Sequence, residues 1–437
     1  MDLGHTLLAV GGGERAASFE SFGRAVDSQW VEDALEATGT ATVRRRKLPA
    51  EQVVWIVIGM GLFRDRSIQE VVHHLDLVLP ASTHRGVVTS SAVVQARDRL
   101  GAAPLATLFE QTAAHWAGSS ADAHRWRGLS VYGVDGSALR VADTPDNENA
   151  FGRPGSSRGI AGYPQLRIVA LMVLRSHLLA GLSLGPWSQG EVALAEPLWA
   201  QLPDCSLTIL DRGFLSYALL HRLATSGRER HWLTRAKSNL KWRTLRRLGP
   251  NDQLVEVTLA RQTRRAHPEL PESLQVRAIR YQRRGFRPQT LLTSLLDPAR
   301  YPASEIIELY HERWEPELGF DEIKTHTLER EETLRSRAPE RVRQEVWGLA
   351  IAYNLVRLHM QEVAQRVGVS PWRISFRHAL LLLRGFWLTA WVTAPGNLPR
   401  RLDGLHQELA LLILPPRRPR RSPRAVKIKM SSYPRSR

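Results

Sequence analysis

Tyr310-His-Glu-Arg313-Trp-Glu-Pro-Glu317-Leu-Gly-Phe-Asp-Glu-Ile-Lys324 is the stretch on which the reading of this chain turns. Its Tyr, Arg, Glu and Lys follow one another at steps of three, four and seven residues, the spacing that returns side chains to one face of an α-helix. A core would not want a phenol, a guanidinium, a carboxylate and an ammonium together. Among donors suited to phosphate oxygens, one carboxylate is an oxygen ligand for a hard cation, so the face suits a metal-bearing phosphodiester site. Solvent-exposed helices also carry Glu and Arg at such offsets for solubility and weak ion pairing, so support must come from elsewhere in the chain.

Two upstream segments supply it. Leu129-Ser-Val-Tyr-Gly-Val-Asp135-Gly-Ser is an apolar, β-branched run that ends in Asp and a glycine, the pattern of a buried strand with a carboxylate exposed at its end. Leu207-Thr-Ile-Leu-Asp211-Arg-Gly-Phe214 repeats the design. An Asp beside Gly is also a common turn former, so each segment alone says little.

Taken together, the three segments resemble DDE transposases of the insertion-element-four family, whose signature has the spacing Y-x2-R-x3-E-x6-K. The likeness continues through Ala142-Asp-Thr-Pro-Asp-Asn-Glu-Asn149, Gly162-Tyr-Pro-Gln-Leu-Arg167 and Trp232-Leu-Thr-Arg-Ala-Lys-Ser-Asn239, so that it runs from Val131 to Thr327. The resemblance implies an α/β fold: an RNase H-like mixed sheet with helices, interrupted by a β-rich insertion, plus an α-helical N-terminal domain. It makes Asp135, Asp211 and Glu317 the catalytic and metal-holding acids, with Tyr310, Arg313 and Lys324 beside them. One residue departs from the pattern. Pro316 stands where an ordinary apolar residue is expected; it cannot donate to the carbonyl of Glu312 and its ring crowds that carbonyl, so a kink or break is expected there.

Charge points the same way. The 437 residues are 43% hydrophobic and carry a net charge of +17, which favours a polyanionic partner. Arginine provides most of it, with lysine only at 47, 237, 241, 324, 427 and 429, a choice that GC-rich codon usage would also produce. The longest apolar windows, Val53 to Phe63 and Ala379 to Ala394, are too short for a membrane span, and the second contains Arg384. No basic region followed by a cleavable apolar segment is evident at the amino terminus, and Cys205 is the single cysteine, which argues against secretion, a disulfide framework and a Cys-rich zinc site. A cytoplasmic bacterial protein acting on the nucleoid, with no membrane partner, is expected. The histidines are scattered without metal-ligand spacing, and no G-x-x-x-x-G-K-[ST] loop or Ser/His/Asp arrangement is discernible.

The pattern divides the chain into an amino-terminal helical DNA-binding domain (1–120), a first part of the catalytic core (121–238), a β-rich insertion (239–300), a second part of the core (301–375) and a C-terminal helical region with a basic tail (376–437). In the first, helices are expected at Ser28–Thr38, Pro49–Phe63, Ser67–Leu75 and Ser90–Leu100. The last is capped by hydroxyl residues and closed by Gly101, and it offers Gln95, Arg97 and Arg99 as polar contacts: a recognition helix or a capped surface helix. Core strands are expected at Leu129–Ala142, Leu166–Leu174, Leu178–Leu184, Leu207–Leu210 and His231–Arg235, with helices near Glu191–Leu202 and Ser216–Thr225. Strands Gln253–Leu259, Leu274–Gln282 and Gln289–Leu295 fill an interval between Asp211 and Glu317 too long for one loop. Helices are expected again from Arg341 to Gln365 and from Phe376 to Trp391.

Within the insertion, Trp242, Tyr281 and Phe286 lie among Lys241, Arg243, Arg280, Arg283 and Arg284, a composition suited either to stacking on unpaired bases or to a small core. In related transposases an aromatic of the insertion receives a flipped base during hairpin formation, and Trp242 is the candidate by composition. After Pro415-Pro416, nine Arg and Lys residues occur without an acid, giving an arm for phosphate binding.

The resemblance further implies two Mg²⁺ ions, with Mn²⁺ as an alternative, held by the three acids during in-line displacement. Cut-and-paste transposition would follow: hydrolysis at each insertion-sequence end, a hairpin intermediate, then strand transfer into target double-stranded DNA by a homodimer. Pro316 also keeps open a catalytically impaired transposase acting as a sequence-specific repressor or inhibitor, and the segments leave room for a stand-alone RNase H-like nuclease.

Overall fold

A computed structural model describes residues 26–41, 48–74, 89–156, 159–283, 286–329, 333–390 and 397–416. The amino-terminal stretch before Val26 and the basic arm after Pro416 lie outside the described residues. The rest divides into two compact units: the described residues of Met1–Thr112, Glu322–Glu331 and Glu340–Leu414 form one, and those of Ala113–Asp321, Glu332–Pro339 and Pro415–Arg437 the other.

The second unit is built on one nine-stranded sheet. In chain order the strands are β1 (Ser130–Arg140), a small ribbon of β2 (Gly155–Ser156) and β3 (Gly159–Ile160), β4 (Gln165–Val173), β5 (Leu179–Pro186), β6 (Ser206–Leu210), β7 (Arg230–Arg235), β8 (Arg243–Gly249), β9 (Asp252–Thr258), β10 (Ser273–Tyr281) and β11 (Gln289–Thr293). The sheet order is β5-β4-β1-β6-β7-β11-β10-β9-β8. β5, β4 and β1 are antiparallel, whereas β6 and β7 run parallel to β1, the RNase H-like arrangement. Parallel strands are covered on both faces and so read as apolar runs, which is why β6 is buried throughout. Leu129, Val131, Leu207, Ile209, Leu233, Leu291 and Leu295 form a core with Ile306, Leu309 and Tyr310 of the helix Ala303–Tyr310.

β8 to β11 extend this sheet through an antiparallel β11–β7 pairing. Three of the four fall within a residue or two of the expected strands; β8 was not expected. Its Arg-Thr-Leu-Arg-Arg-Leu-Gly is exposed through most of its length because it forms the sheet's edge, where charge on both faces is tolerated and discourages further strand pairing. A fully buried Arg277 ties these strands to the core. It donates to Asp252 at 2.8 and 2.5 Å and to the carbonyl of Tyr301 at 2.6 Å, so the guanidinium has anionic and neutral acceptors in place of water.

The first unit is helical: Ser28–Ala37, Ala50–Leu62, Ile68–His74, Ser90–Leu100, Pro339–Val367, Phe376–Ala390 and Leu398–Ala410 are its α-helices among the described residues, and Ala103–Ala123 begins in it. Gly348 lets the long helix Pro339–Val367 approach closely, since a Cβ there would lie 2.6 Å from the carbonyl oxygen of Val57. The expected caps of Ser90–Leu100 are present: Thr89 accepts the N–H of Ala92 at 3.2 Å, and Gly101 takes φ 69°. Arg97, however, does not offer a polar contact outward. It is buried, donating to Gln344 at 3.0 Å and to the carbonyl of Arg341 at 2.9 Å, while Gln95 and Arg99 are exposed.

The segment from Tyr310 to Lys324 is helical but irregular, in keeping with the kink or break expected at Pro316. The chain forms an α-helix to Tyr310, a 3₁₀ turn over His311–Trp314, an α-helical turn Glu315–Asp321 and a π-helical turn Glu322–Thr327. Pro316 accounts for the first change. The carbonyl of Glu312 has no N–H four residues on to accept from, and takes the N–H of Glu315 three residues on instead, which tightens the turn.

Candidate active site

β1 and β6 run side by side in one-to-one parallel register, from Ser130 opposite Ser206 to Val134 opposite Leu210. Asp135 and Asp211 are the residues that follow this register, Asp135 within β1 and Asp211 just past β6, so both lie at the end of the parallel pairing. Ligands of α/β sheets gather at such carboxyl ends. Asp135 accepts the N–H of Gly136 at 2.8 Å; Asp211 starts the 3₁₀ turn Arg212–Phe214 and accepts the N–H of Gly213 at 3.5 Å.

Glu317 joins them from the later helical turn. Gly133 shares a face of β1 with Asp135, and a Cβ on it would lie 2.8 Å from Cγ of Pro316 and 2.4 Å from Leu174. The proline ring therefore seats on bare backbone, two residues before one acid and one before the other. Two further contacts hold the preceding turn to the β4–β5 connection. His177 and Glu315 are buried and hydrogen-bonded at 2.7 Å, and Arg175 pairs with Glu312 at 3.3 Å.

Arg313 lies between two of the acids, its Nη1 3.5 Å from Asp211 and 3.0 Å from Glu317, with its guanidinium 4.4 Å over the Trp314 ring. Burial pushes the Asp135 carboxyl up to about 6; the Gly136 N–H and Arg313 oppose the rise, and the charges of Glu317 and Glu191 add to it. Tyr310 is packed in the core, and burial pushes its hydroxyl up to about 12, with Arg313 and Asp211 among the charges acting on it. Asp135, Asp211, Glu317, Tyr310 and Arg313 are thus in one unit. Lys324, in the π-helical turn, belongs to the other.

Glu191 is a neighbour that sequence reasoning missed. Its carboxyl carbon occupies the space a Cβ on Gly136 would fill, at 2.5 Å, and it is 4.0 Å from Arg167. No spacing signals it; only the fold brings it beside Asp135. In the insertion, Tyr281 is half-buried, donates to Gln289 at 3.2 Å and meets the edge of His311 at 6.0 Å. Trp242 and Phe286 are half-buried, Lys241, Arg280 and Arg283 are exposed, Arg243 pairs with Glu256 at 2.6 Å, and Arg284 lies outside the described residues.

Known proteins share both halves of this architecture. Residues 16–110 match the family model of the insertion element 4 transposase N-terminal region, and residues 126–355 that of the transposase DDE domain. The chain is 38% identical over 416 residues to an Escherichia coli (strain K12) transposase, InsG, for insertion sequence element IS4, covering 95% of this chain and 93% of that protein. A putative transposase of the same organism, InsZ, is 33% identical over 277 residues, 60% of this chain and 90% of its own length. A cryo-EM structure of a piggyBac transposase synaptic complex with hairpin DNA has a TM-score of 0.44 at 12% identity, over 92% of this chain and 86% of that one, a likeness too remote to carry weight. No helix among the described residues is long and apolar enough to cross a membrane. By its two family matches and its near full-length likeness to the IS4 enzyme, the chain belongs to the insertion-element-4 family of DDE transposases.

Proposed function

We propose that Asp135, Asp211 and Glu317 are the catalytic acids of a cut-and-paste reaction at insertion-sequence ends, carried out at the bacterial nucleoid by two copies of the chain. The observation that carries this reading is the Arg313 guanidinium lying 3.5 Å from Asp211 and 3.0 Å from Glu317, while Asp135 senses Glu317 and Arg313. Membership in the family brings a divalent-metal requirement. The donors fit it: three carboxylates supply oxygen alone, as hard cations prefer, and Asp135 carries a burial and like-charge penalty that a cation relieves. The acids would hold two Mg²⁺ ions, or Mn²⁺, which when bound polarise the scissile phosphate and activate a water or a 3′-hydroxyl.

The chain's own groups do the rest. Arg313 presents a planar fork of donors to a phosphate at the cut. Tyr310 keeps its proton at neutral pH, with its hydroxyl at about 12, and orients that phosphate as a neutral donor. Lys324 neutralises a neighbouring phosphate. The amino-terminal region 1–120 reads the element ends, residues 121–238 and 301–375 do the chemistry, the strands of 239–300 with Trp242 contact DNA near the cut, and the basic arm within 376–437 adds phosphate affinity.

A duplex carrying the DNA that flanks the gene, incubated with the chain and Mg²⁺, is expected to give nicks and joined products, both lost in chelator. Binding with no cleavage in Mg²⁺ or Mn²⁺ overturns the reading in favour of a repressor, and nicks without joined products favour a nuclease.

Replacing Arg313 or Lys324 with alanine is expected to slow cleavage about tenfold while changing duplex affinity much less, because each makes one local phosphate contact among many. Equal losses of both at matched salt would reduce them to general affinity residues.

Asp135 gives a pH signature in the metal-free chain. Its carboxyl goes from an ordinary 3.8 to about 6 on folding, so the folded state holds a proton that the unfolded state releases. Asp135 therefore costs stability as pH rises from about 4 to about 6, and the full cost is present above that. Denaturant unfolding in chelator should lose more stability across this window in the wild type than in Asp135→Asn. Parallel curves would show that the carboxyl is not perturbed.

A further inference from the structure

Outside the acids, the first unit brings together three metal-ligating side chains that sequence spacing gave no reason to connect. His359 and Glu362 lie one turn apart on the helix Pro339–Val367, and His406 reaches them from Leu398–Ala410. They are the one group among the described residues in which three such side chains bring ligand atoms within 4.8 Å of one another. The histidines are scattered in sequence, as expected, and only the fold brings His359 and His406, 47 positions apart, together.

We propose that His359, Glu362 and His406 form a zinc-class divalent cation site that fastens the helix Leu398–Ala410 to the long helix Pro339–Val367, separate from the catalytic acids. Nδ1 of His359 and Nε2 of His406 are 3.2 Å apart, and Oε2 of Glu362 is 3.7 Å from the first and 3.6 Å from the second. A triangle with those sides has a circumscribed radius of about 2.0 Å, so a cation can touch all three atoms at the ~2.0–2.2 Å of zinc–nitrogen and zinc–oxygen bonds without rearrangement. The alternative is a plain hydrogen bond between two rings. In either case the Glu362 carboxylate lies at ion-pair distance from both nitrogens and almost equidistant from them, the position a third ligand would take.

The surroundings agree. His359 is 7% and His406 2% exposed, so both rings are held among packed side chains with little water to compete for their nitrogens. The Glu362 side chain is 42% exposed, which opens the remaining coordination position to water. Two imidazoles and one carboxylate select borderline cations over Mg²⁺, whereas the acid site offers oxygen only. The two sites can therefore be told apart by metal preference.

The test uses the full chain, stripped by chelator and dialysed against zinc chloride in a large excess of Mg²⁺, with bound metal counted by elemental analysis. One zinc per chain is expected in the wild type and in Asp135→Ala. Glu362→Gln, a change at a partly exposed position that should not disturb folding, is expected to weaken zinc binding at least about tenfold. His406→Asn should remove it, and Co²⁺ should give the visible absorption of a four-coordinate site only where both histidines are intact. Zinc should also raise the thermal midpoint of the wild type, and raise that of Glu362→Gln less at the same zinc concentration. No retained zinc in the wild type, or equal affinity in wild type and Glu362→Gln, overturns the proposal. Loss of zinc in Asp135→Ala alone assigns the metal to the acids and overturns it too.

Discussion

Alanine at Asp135, Asp211 or Glu317 is expected to lower strand cleavage and joining by at least about a thousandfold, equivalent to ~4 kcal/mol of transition-state stabilisation, with duplex binding nearly unchanged. On the proposed assignment the acids would serve the reacting phosphate and contribute little to general affinity. Pro316 makes the neighbouring glutamates the informative controls. Glu315 is buried against His177 at 2.7 Å, and Glu322 accepts from Tyr353 at 2.9 Å and pairs with Arg357. Glu315→Ala and Glu322→Ala should therefore lower the unfolding midpoint, each leaving a buried partner unsatisfied at a cost of ~1–3 kcal/mol, without removing the chemistry from whatever remains folded. Wild-type cleavage by Glu317→Ala, together with loss in either control at normal stability, would move the third acid off Glu317.

Gly133→Val should cost about a hundredfold in cleavage, the scale on which a misplacement of roughly 1 Å reduces catalysis. The new side chain would occupy the seat of the Pro316 ring and meet Leu174, pushing the Glu315–Asp321 turn away from β1. Overpacking of this kind also costs ~1–3 kcal/mol of stability, so rates must be compared at a temperature where both proteins are folded. Cleavage falling only in proportion to the folded fraction would mean that Pro316 does not set the position of Glu317.

Most of the sheet was legible because burial writes its strands as apolar runs, as in β4 and β6, or as alternating ones, as in β9. β8 escaped because an edge strand has no such constraint, and its Arg243, Arg246 and Arg247 look like a loop. Spacing and family likeness singled out Asp135, Asp211 and Glu317, and the fold puts the first two at neighbouring strand ends, with Arg313 near Asp211 and Glu317. The helix carrying Glu317 was legible as helical, and Pro316 marked where the Glu312 carbonyl would lose its partner; the 3₁₀ and π-helical turns that result were not legible, since side-chain spacing does not set the winding. Tyr310 was read as polar machinery, yet its ring also fills the core. Arg97 was read as facing outward because Arg is usually exposed; Gln344, almost 250 positions away, turns it inward. Glu191 and the pair His359 and His406 could not have been found, because their neighbours are set by tertiary packing alone.

The paired register of β1 and β6 bears on how such a chain can diverge. Each side-chain direction alternates along a strand, so inserting or deleting one residue within Ser130–Val134 or Ser206–Leu210 would send one aspartate to the opposite face of the sheet. Those ten positions can change in identity but not in number. The interval from Asp211 to Glu317 is under no such restriction, because its length enters nowhere in the alignment of the two strand ends. Lineages descended from a common ancestor should accordingly differ in size within that interval and keep both short strands free of length changes.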